Sequence, residues 1–296
     1  MSARKIRCRE ITAGDVDALA DLLTRGFPAR PRSYWLDGLQ RQAARAVPSG
    51  YPRYGYLLEA AGAVVGVLLL MYSEKAGVEN SALTCNVASW YVDPQFRNQA
   101  SLLSAIALKH KHVTYVNVTP APATWKILEA QGYKRYCNGL VFALPALARG
   151  GGVVSTITAG SAKPDDVSQN DFDLLTRHAG YGCLSLISRT TRGAIPFVLA
   201  PFRIRQGRFG LPAMQLIYCR SIDDFVACAG AVGRFLLVRG KPLVIVDANG
   251  PIQGLTGFHS SARGQKYFRG PNPPRLGDQD LERGRGRGQR RRGHRS

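Results

Sequence analysis

Two apolar runs joined by a two-residue turn constrain this chain most. Residues 55–60 and 63–73 are dense in Leu, Val and Tyr, and Ala61-Gly62 lies between them. Short apolar runs around so tight a turn read as an antiparallel hairpin. A third strand-like run, 84–92, stops at Asp93-Pro94. Proline holds the residue before it extended, so a strand end fits there better than a helix.

The flanking segments follow a helical period. Thr12 and Asp15 have the spacing of a capping box, and Val16, Leu19, Ala20 and Leu23 then recur on one face up to Gly26. A strand over 5–11 precedes this helix. A second helix is expected over 33–46. After the hairpin come a helix over 100–110, a strand over 113–118, a helix over 123–131, and closing strands at 133–137 and 139–143. These alternating elements specify an α/β fold with a mixed sheet and helices on both faces.

At 296 residues the chain has room for two domains. Residues 1–147 make the first, and 148–166, with Arg149-Gly150-Gly151-Gly152, read as a linker. Residues 167–278 repeat the pattern: helix 168–179, strands 183–188, 194–204 and 214–219, helix 221–240, strand 242–247. A degenerate second copy of the first fold is the expectation. Residues 279–296 carry Arg/Gly repeats and Arg290-Arg291-Arg292, too polar to bury a core, and read as a disordered tail.

The net charge of +20 favours anionic ligands. Nucleic acid enters only through the tail. The six cysteines are scattered, with no C-x-x-C pair, which argues for reduced thiols and against a metal site. No signal-peptide core and no stretch of ~18 apolar residues is present, so a cytoplasmic, non-membrane protein is expected.

The chemistry concentrates in Trp90-Tyr91-Val92-Asp93-Pro94-Gln95-Phe96-Arg97-Asn98-Gln99-Ala100-Ser101-Leu102. A strand ends, a turn carries an arginine, and a helix begins. Helix N-termini present unpaired N–H groups and the positive dipole end, which suit a pyrophosphate.

This junction resembles the GNAT-type acyl-CoA N-acyltransferases, whose motif is V-x-P-x-x-R-x-x-G-x-G between a strand and a helix. Val92, Pro94 and Arg97 match, while Ala100 and Leu102 stand where the family has glycine. Downstream, residues 121–133 follow the family's N-x-x-A-x-x-L-Y-x-x-x-G-F pattern, ending Ile127-Leu128-Glu129-Ala130-Gln131-Gly132-Tyr133. Ala121 replaces its Asn, and Leu128 replaces the Tyr that often protonates the departing thiolate. The resemblance implies a GNAT-like fold, in tandem if the second half is a copy. It implies acetyl-CoA or another acyl-CoA as co-substrate and an amine, small-molecule or protein, as acceptor. The co-substrate residues it points to are Trp90, Tyr91, Val92, Arg97, Asn98, Gln99, Ala100, Ser101 and Leu102. Candidate catalytic groups are Glu59, Ser89 and Tyr91, with Glu74 and Glu79 as further carboxylates. The alternative is a GNAT-like module that binds acyl-CoA or a partner without turnover.

Overall fold

The computed structural model describes residues 6–74, 83–206 and 209–277. The chain divides into two compact units. The first holds the described residues of Met1–Asn117 together with Phe268–Pro273. The second holds those of Val118–Tyr267 and Pro274–Asp280.

In the first unit the elements are β1 (Ile6–Glu10), α1 (Val16–Gly26), α2 (Arg32–Ala43), β2 (Gly55–Ala60), β3 (Ala63–Glu74), β4 (Leu83–Val92), α3 (Ala100–Ala107) and β5 (Thr114–Asn117). Strand order is β1-β2-β3-β4-β5. Pairing is antiparallel from β1 to β4 and parallel between β4 and β5. One face of the sheet buries Leu57, Val67 and Leu69 against Leu19, Leu22 and Leu23 of α1 and Leu39 of α2. Leu19 and Leu23 belong to the stripe the helical spacing marks out, Val16 packs against the same cluster, and Leu22 widens it.

The start of α1 is tied to the sheet by charge. Thr12 donates its backbone N–H to Asp15 at 2.8 Å, completing the capping box. Arg9 of β1 donates to both Asp15 oxygens at 2.8 Å and to Glu59 of β2 at 2.9 Å. The Arg9 guanidinium, followed by the Thr12 donors, holds the Asp15 carboxyl far below the usual carboxylate range. A depressed folded pKa gives stability that is present above the unfolded value of ~3.9 and lost as pH falls below it. Asp15→Asn is therefore expected to flatten the stability loss between about pH 5 and pH 2. Urea midpoints across that range provide the check, and an unchanged slope contradicts it.

The second unit contains α4 (Trp125–Ala130), β6 (Lys134–Cys137), β7 (Gly139–Ala143), β8 (Val153–Ile157), α5 (Gln169–Gly180), β9 (Leu184–Thr190), β10 (Gly193–Gln206), β11 (Phe209–Cys219), α6 (Ile222–Leu237), β12 (Leu243–Ala248), β13 (Gly257–Ser260) and β14 (Lys266–Arg269), the last of which runs on into the first unit. Its sheet has the order β13-β7-β12-β11-β10-β9-β8, with β11 and β12 parallel and the other pairs antiparallel. Alternate residues face opposite layers. Leu186, Phe197, Leu199 and Met214 meet Phe225, Val232 and Leu236 of α6. Ile187, Val198 and Ile217 meet Leu174 and Leu175 of α5.

Several segments differ from the sequence reading. The segment taken as a linker contains β8, an edge strand on β9. β7, expected to close the first half, pairs with β12 and β13. Its run Leu140-Val141-Phe142-Ala143 is apolar on both faces, which suits a strand inside a sheet better than one at an edge. α3 ends at Ala107, before His110. Residues 257–260 and 266–269 form strands that no alternation announces. The Arg/Gly tail lies outside the described residues.

The two sheets share one local plan. In β3-β4-β5, Val67 pairs with Tyr91 but Leu69 pairs with Ala88, so β4 bulges at Ser89-Trp90. In β10-β11-β12, Val198 pairs with Tyr218 and Leu199 with Leu216, leaving Ile217 as the extra residue. In both, the parallel pairing that follows is short. β4 meets β5 only at Thr84–Thr114, Cys85–Tyr115 and Asn86–Val116. β11 meets β12 only at Ala213–Leu243, Met214–Val244 and Gln215–Ile245. Each middle strand then runs on beyond the pairing, and a helix follows it.

Candidate functional site

The opening between β4 and β5 in the first unit begins where their pairing ends. Beyond Asn86, six more residues of β4 run to Val92. The bulge re-aims that stretch, as bulges beside functional sites commonly do. Ser89 sits at φ 50°, a left-handed conformation that costs a non-glycine residue roughly 1–2 kcal/mol. Ser89 and Trp90 are half-buried.

The strand leads into a helical turn. Val92 is buried opposite Gly66. The Asp93 N–H donates to the Val65 carbonyl at 2.8 Å, and Arg25 donates to the Asp93 carboxylate at 3.3 Å. Pro94–Gln99 then winds as a 3-10 turn continuous with α3, and the Ala100 N–H donates to the Arg97 carbonyl. Arg97, Asn98 and Ser101 are exposed, and Gln99 and Ala100 are half-buried. Leu102 is 40% exposed, while Leu103, Ser104 and Ala107 form the buried side of α3. Trp90 to Leu102 thus run consecutively from bulged strand to turn to helix.

The candidate catalytic groups separate. Ser89 lies at the bulge. Tyr91 packs under the end of α1, where a Cβ on Gly26 would come within 2.5 Å of its ring, and its ring centroid is 6.0 Å from that of Phe27. Burial, with Asp93 beside it, raises the Tyr91 pKa. Tyr91 is therefore a packing aromatic on the α1 face. Glu59 pairs with Arg9, and β3 separates its strand from β4. Glu74 is exposed at the end of β3. Glu79 lies outside the described residues. Leu128 is 2% exposed within α4 and serves packing.

Other polar groups on this sheet carry no local sequence signal. Asn86, the last residue paired with β5, is 4% exposed, and its Oδ1 meets no hydrogen-bond partner among the described residues. Past α3, Tyr51 and His112 share a 2.6 Å hydrogen bond, and the Tyr51 ring lies 4.6 Å from Tyr72 and 5.0 Å from His110. The His110 N–H donates to Tyr115 at 3.4 Å, and burial pushes the Tyr115 hydroxyl up to about 12. These residues come from four separate segments, so spacing could not link them.

The matching place in the second unit is already filled. Within an antiparallel pair, a residue's N–H and C=O point to the same side. Cys219 donates its N–H to the Gly277 carbonyl at 2.9 Å, and its carbonyl accepts from Arg275 at 2.7 Å. The segment after residue 273 thus covers the free edge of β11. Ser221 caps α6 by accepting from the Asp224 N–H, and Asp223 and Asp224 occupy the first turn, which disfavours an anion there. No group of three or more metal-binding side chains occurs among the described residues. No helix among them is long and apolar enough to cross a membrane.

No family model matches the sequence, and no curated protein matches it. Solved structures do match. A GCN5-related N-acetyltransferase from Kribbella flavida aligns over 90% of this chain and 71% of its own, at 14% identity and TM-score 0.56. One from Anabaena variabilis ATCC 29413 aligns over 90% and 72%, at 11% identity and TM-score 0.56. A conserved protein of unknown function from Enterococcus faecalis V583, described as a probable N-acyltransferase, aligns over 90% and 72%, at 10% identity and TM-score 0.55. These alignments extend well past either half alone, and identities this low speak to architecture. The bulged strands with their short parallel pairing, the helix that follows them and these alignments lead to one conclusion: the chain has the fold of the GCN5-related N-acetyltransferases.

Proposed function

We propose that the first unit binds an acyl-CoA at the β4–β5 opening and transfers its acyl group, most simply acetyl, to an amine. The observation that carries this reading is the bulge at Ser89 beside the end of pairing at Asn86. Past Asn86 no residue of β4 is in register with β5, and backbone N–H groups along such a stretch can serve a carbonyl oxygen. In such a transfer the amine nitrogen bonds to the thioester carbon and gives up a proton, the C–S bond breaks, and the departing thiolate takes up a proton, so that amide and thiol result. Backbone donors aimed at the developing oxyanion are an effective aid to that step. Ser89 lies within that stretch, and its hydroxyl is half-buried there. Exposed Arg97 and Asn98 are suited to the phosphates.

A second reading is a binding module without turnover. It is favoured by the buried Leu128 and by the helical winding of Pro94–Gln99. Calorimetry with acetyl-CoA, followed by thiol release with a panel of primary amines, separates the two. Binding is expected, and Arg97→Ala is expected to weaken it about tenfold, the loss of one charge-assisted contact near the surface. Absence of heat up to ~1 mM acetyl-CoA sinks both readings. Binding without thiol release leaves the module.

A further inference from the structure

We propose that the second unit carries a separate site for a phosphate-bearing small molecule, in the groove between residues 151–153 and the β9–β10 turn. The groove has a volume of about 600 Å³ and is lined by Gly151, Gly152, Val153, Arg189, Thr190, Thr191, Arg192 and Ala227. Volumes of roughly 300–1,000 Å³ are usual for small-ligand sites.

One wall is fixed by backbone geometry. Gly150 and Gly152 have φ of 127° and 133°. A Cβ on Gly150 would fall 2.4 Å from the Ala227 carbonyl oxygen, and one on Gly152 would fall 2.8 Å from Ser188 Oγ. The glycine run is thus wedged between α6 and β9 and cannot swing like a tether. Ser188 Oγ, fully buried behind Gly152, meets no hydrogen-bond partner among the described residues.

The opposite wall supplies cationic forks. Asp166 grips Arg189 with two hydrogen bonds of 2.7 and 3.1 Å, and Arg189 also donates to Ser155 at 2.9 Å. Its guanidinium is therefore oriented, and its charge is largely offset. Arg192 is exposed at the turn, which is shaped by its own N–H donating to Thr190 Oγ1 at 3.1 Å. Arg234 donates to the Gly150 carbonyl at 3.2 Å, and exposed Arg149 precedes that glycine. The opposing carboxylates are Asp166 and, one helical turn before Ala227, Asp223 and Asp224. Guanidinium forks match phosphate oxygens in pairs, hydroxyls such as those of Thr190 and Thr191 add donors, and Val153 and Ala227 offer apolar contact to the ligand body.

The test uses the full chain, with inorganic phosphate and adenosine monophosphate as calorimetric probes. Both are expected to bind, the nucleotide more tightly. Arg192→Ala is expected to lose tenfold or more in affinity, Arg192→Lys less because the charge remains, and Asp223→Asn is expected to gain. Arg97→Ala weakens any phosphate binding at the β4–β5 opening, and the binding event that Arg192→Ala removes should persist in it. The proposal is overturned if neither probe binds at about 10 mM, or if Arg192→Ala binds like wild type. Loss of binding in Arg97→Ala overturns it as well, because the phosphate then sits at the β4–β5 opening. None of these outcomes depends on acyl transfer.

Discussion

Replacing Lys266 with methionine is expected to cost the second unit about 3–5 kcal/mol, the penalty for leaving a buried carboxylate without its counter-ion. Lys266 on β14 and Asp247 on β12 form an ion pair whose side chains are 1% and 3% exposed. Both side chains are almost wholly buried, so bulk solvent screens the attraction between them little. The pair also marks its surroundings: burial, with Asp247 adding to it, pushes the neighbouring Cys137 thiol up to about 11. The attraction between two desolvated charges does little more than offset the cost of drying them. The double variant Lys266→Met/Asp247→Leu should therefore recover most of the loss. Chemical denaturation of the three proteins decides the matter. A single variant within 1 kcal/mol of wild type would refute the reading.

Gly233→Ala is expected to destabilise by about 1–3 kcal/mol, against the direction of helix propensity. Alanine in a helix interior normally improves on glycine by about 1 kcal/mol. Gly233 lies within α6, and a Cβ there would fall 2.1 Å from the backbone nitrogen of Ala146 in the turn Pro145–Leu147. Backbone cannot step aside as a side-chain tip does, so helix and turn would have to part. Gly38 of α2, with nothing near its Cβ position, is the control: Gly38→Ala should stabilise by up to about 1 kcal/mol. Thermal melts of both variants should move in opposite directions, and a shared direction rules the argument out.

Much of the architecture was legible because local pattern and burial agree. The hairpin at Ala61-Gly62, the stripe Val16, Leu19, Ala20 and Leu23, and the strand stopping before Pro94 each follow from spacing, and the same elements appear in the fold. The candidate site was legible as a stretch of chain, since a strand-to-helix junction is continuous in sequence. Its internal geometry was not. No glycine marks the bulge, because Ser89 itself takes the positive φ. Composition could not distinguish a mobile glycine run from one demanded by close approach, so Gly150-Gly151-Gly152 read as a tether. Glu59 looked free because Arg9, which holds it, lies 50 residues away. The helix expected over 100–110 stops at Ala107, which leaves the His110 and His112 rings free of it to join Tyr51.

The cover over Cys219 has a competitive consequence. Arg275 and Gly277 belong to the same chain as the strand they satisfy, so they act as a tethered ligand whose effective concentration is on the order of millimolar. A free molecule present at micromolar levels would need roughly a thousandfold tighter intrinsic affinity to displace them. The strand plan thus recurs with one difference. In the second unit that place is held by an occupant supplied by the chain itself.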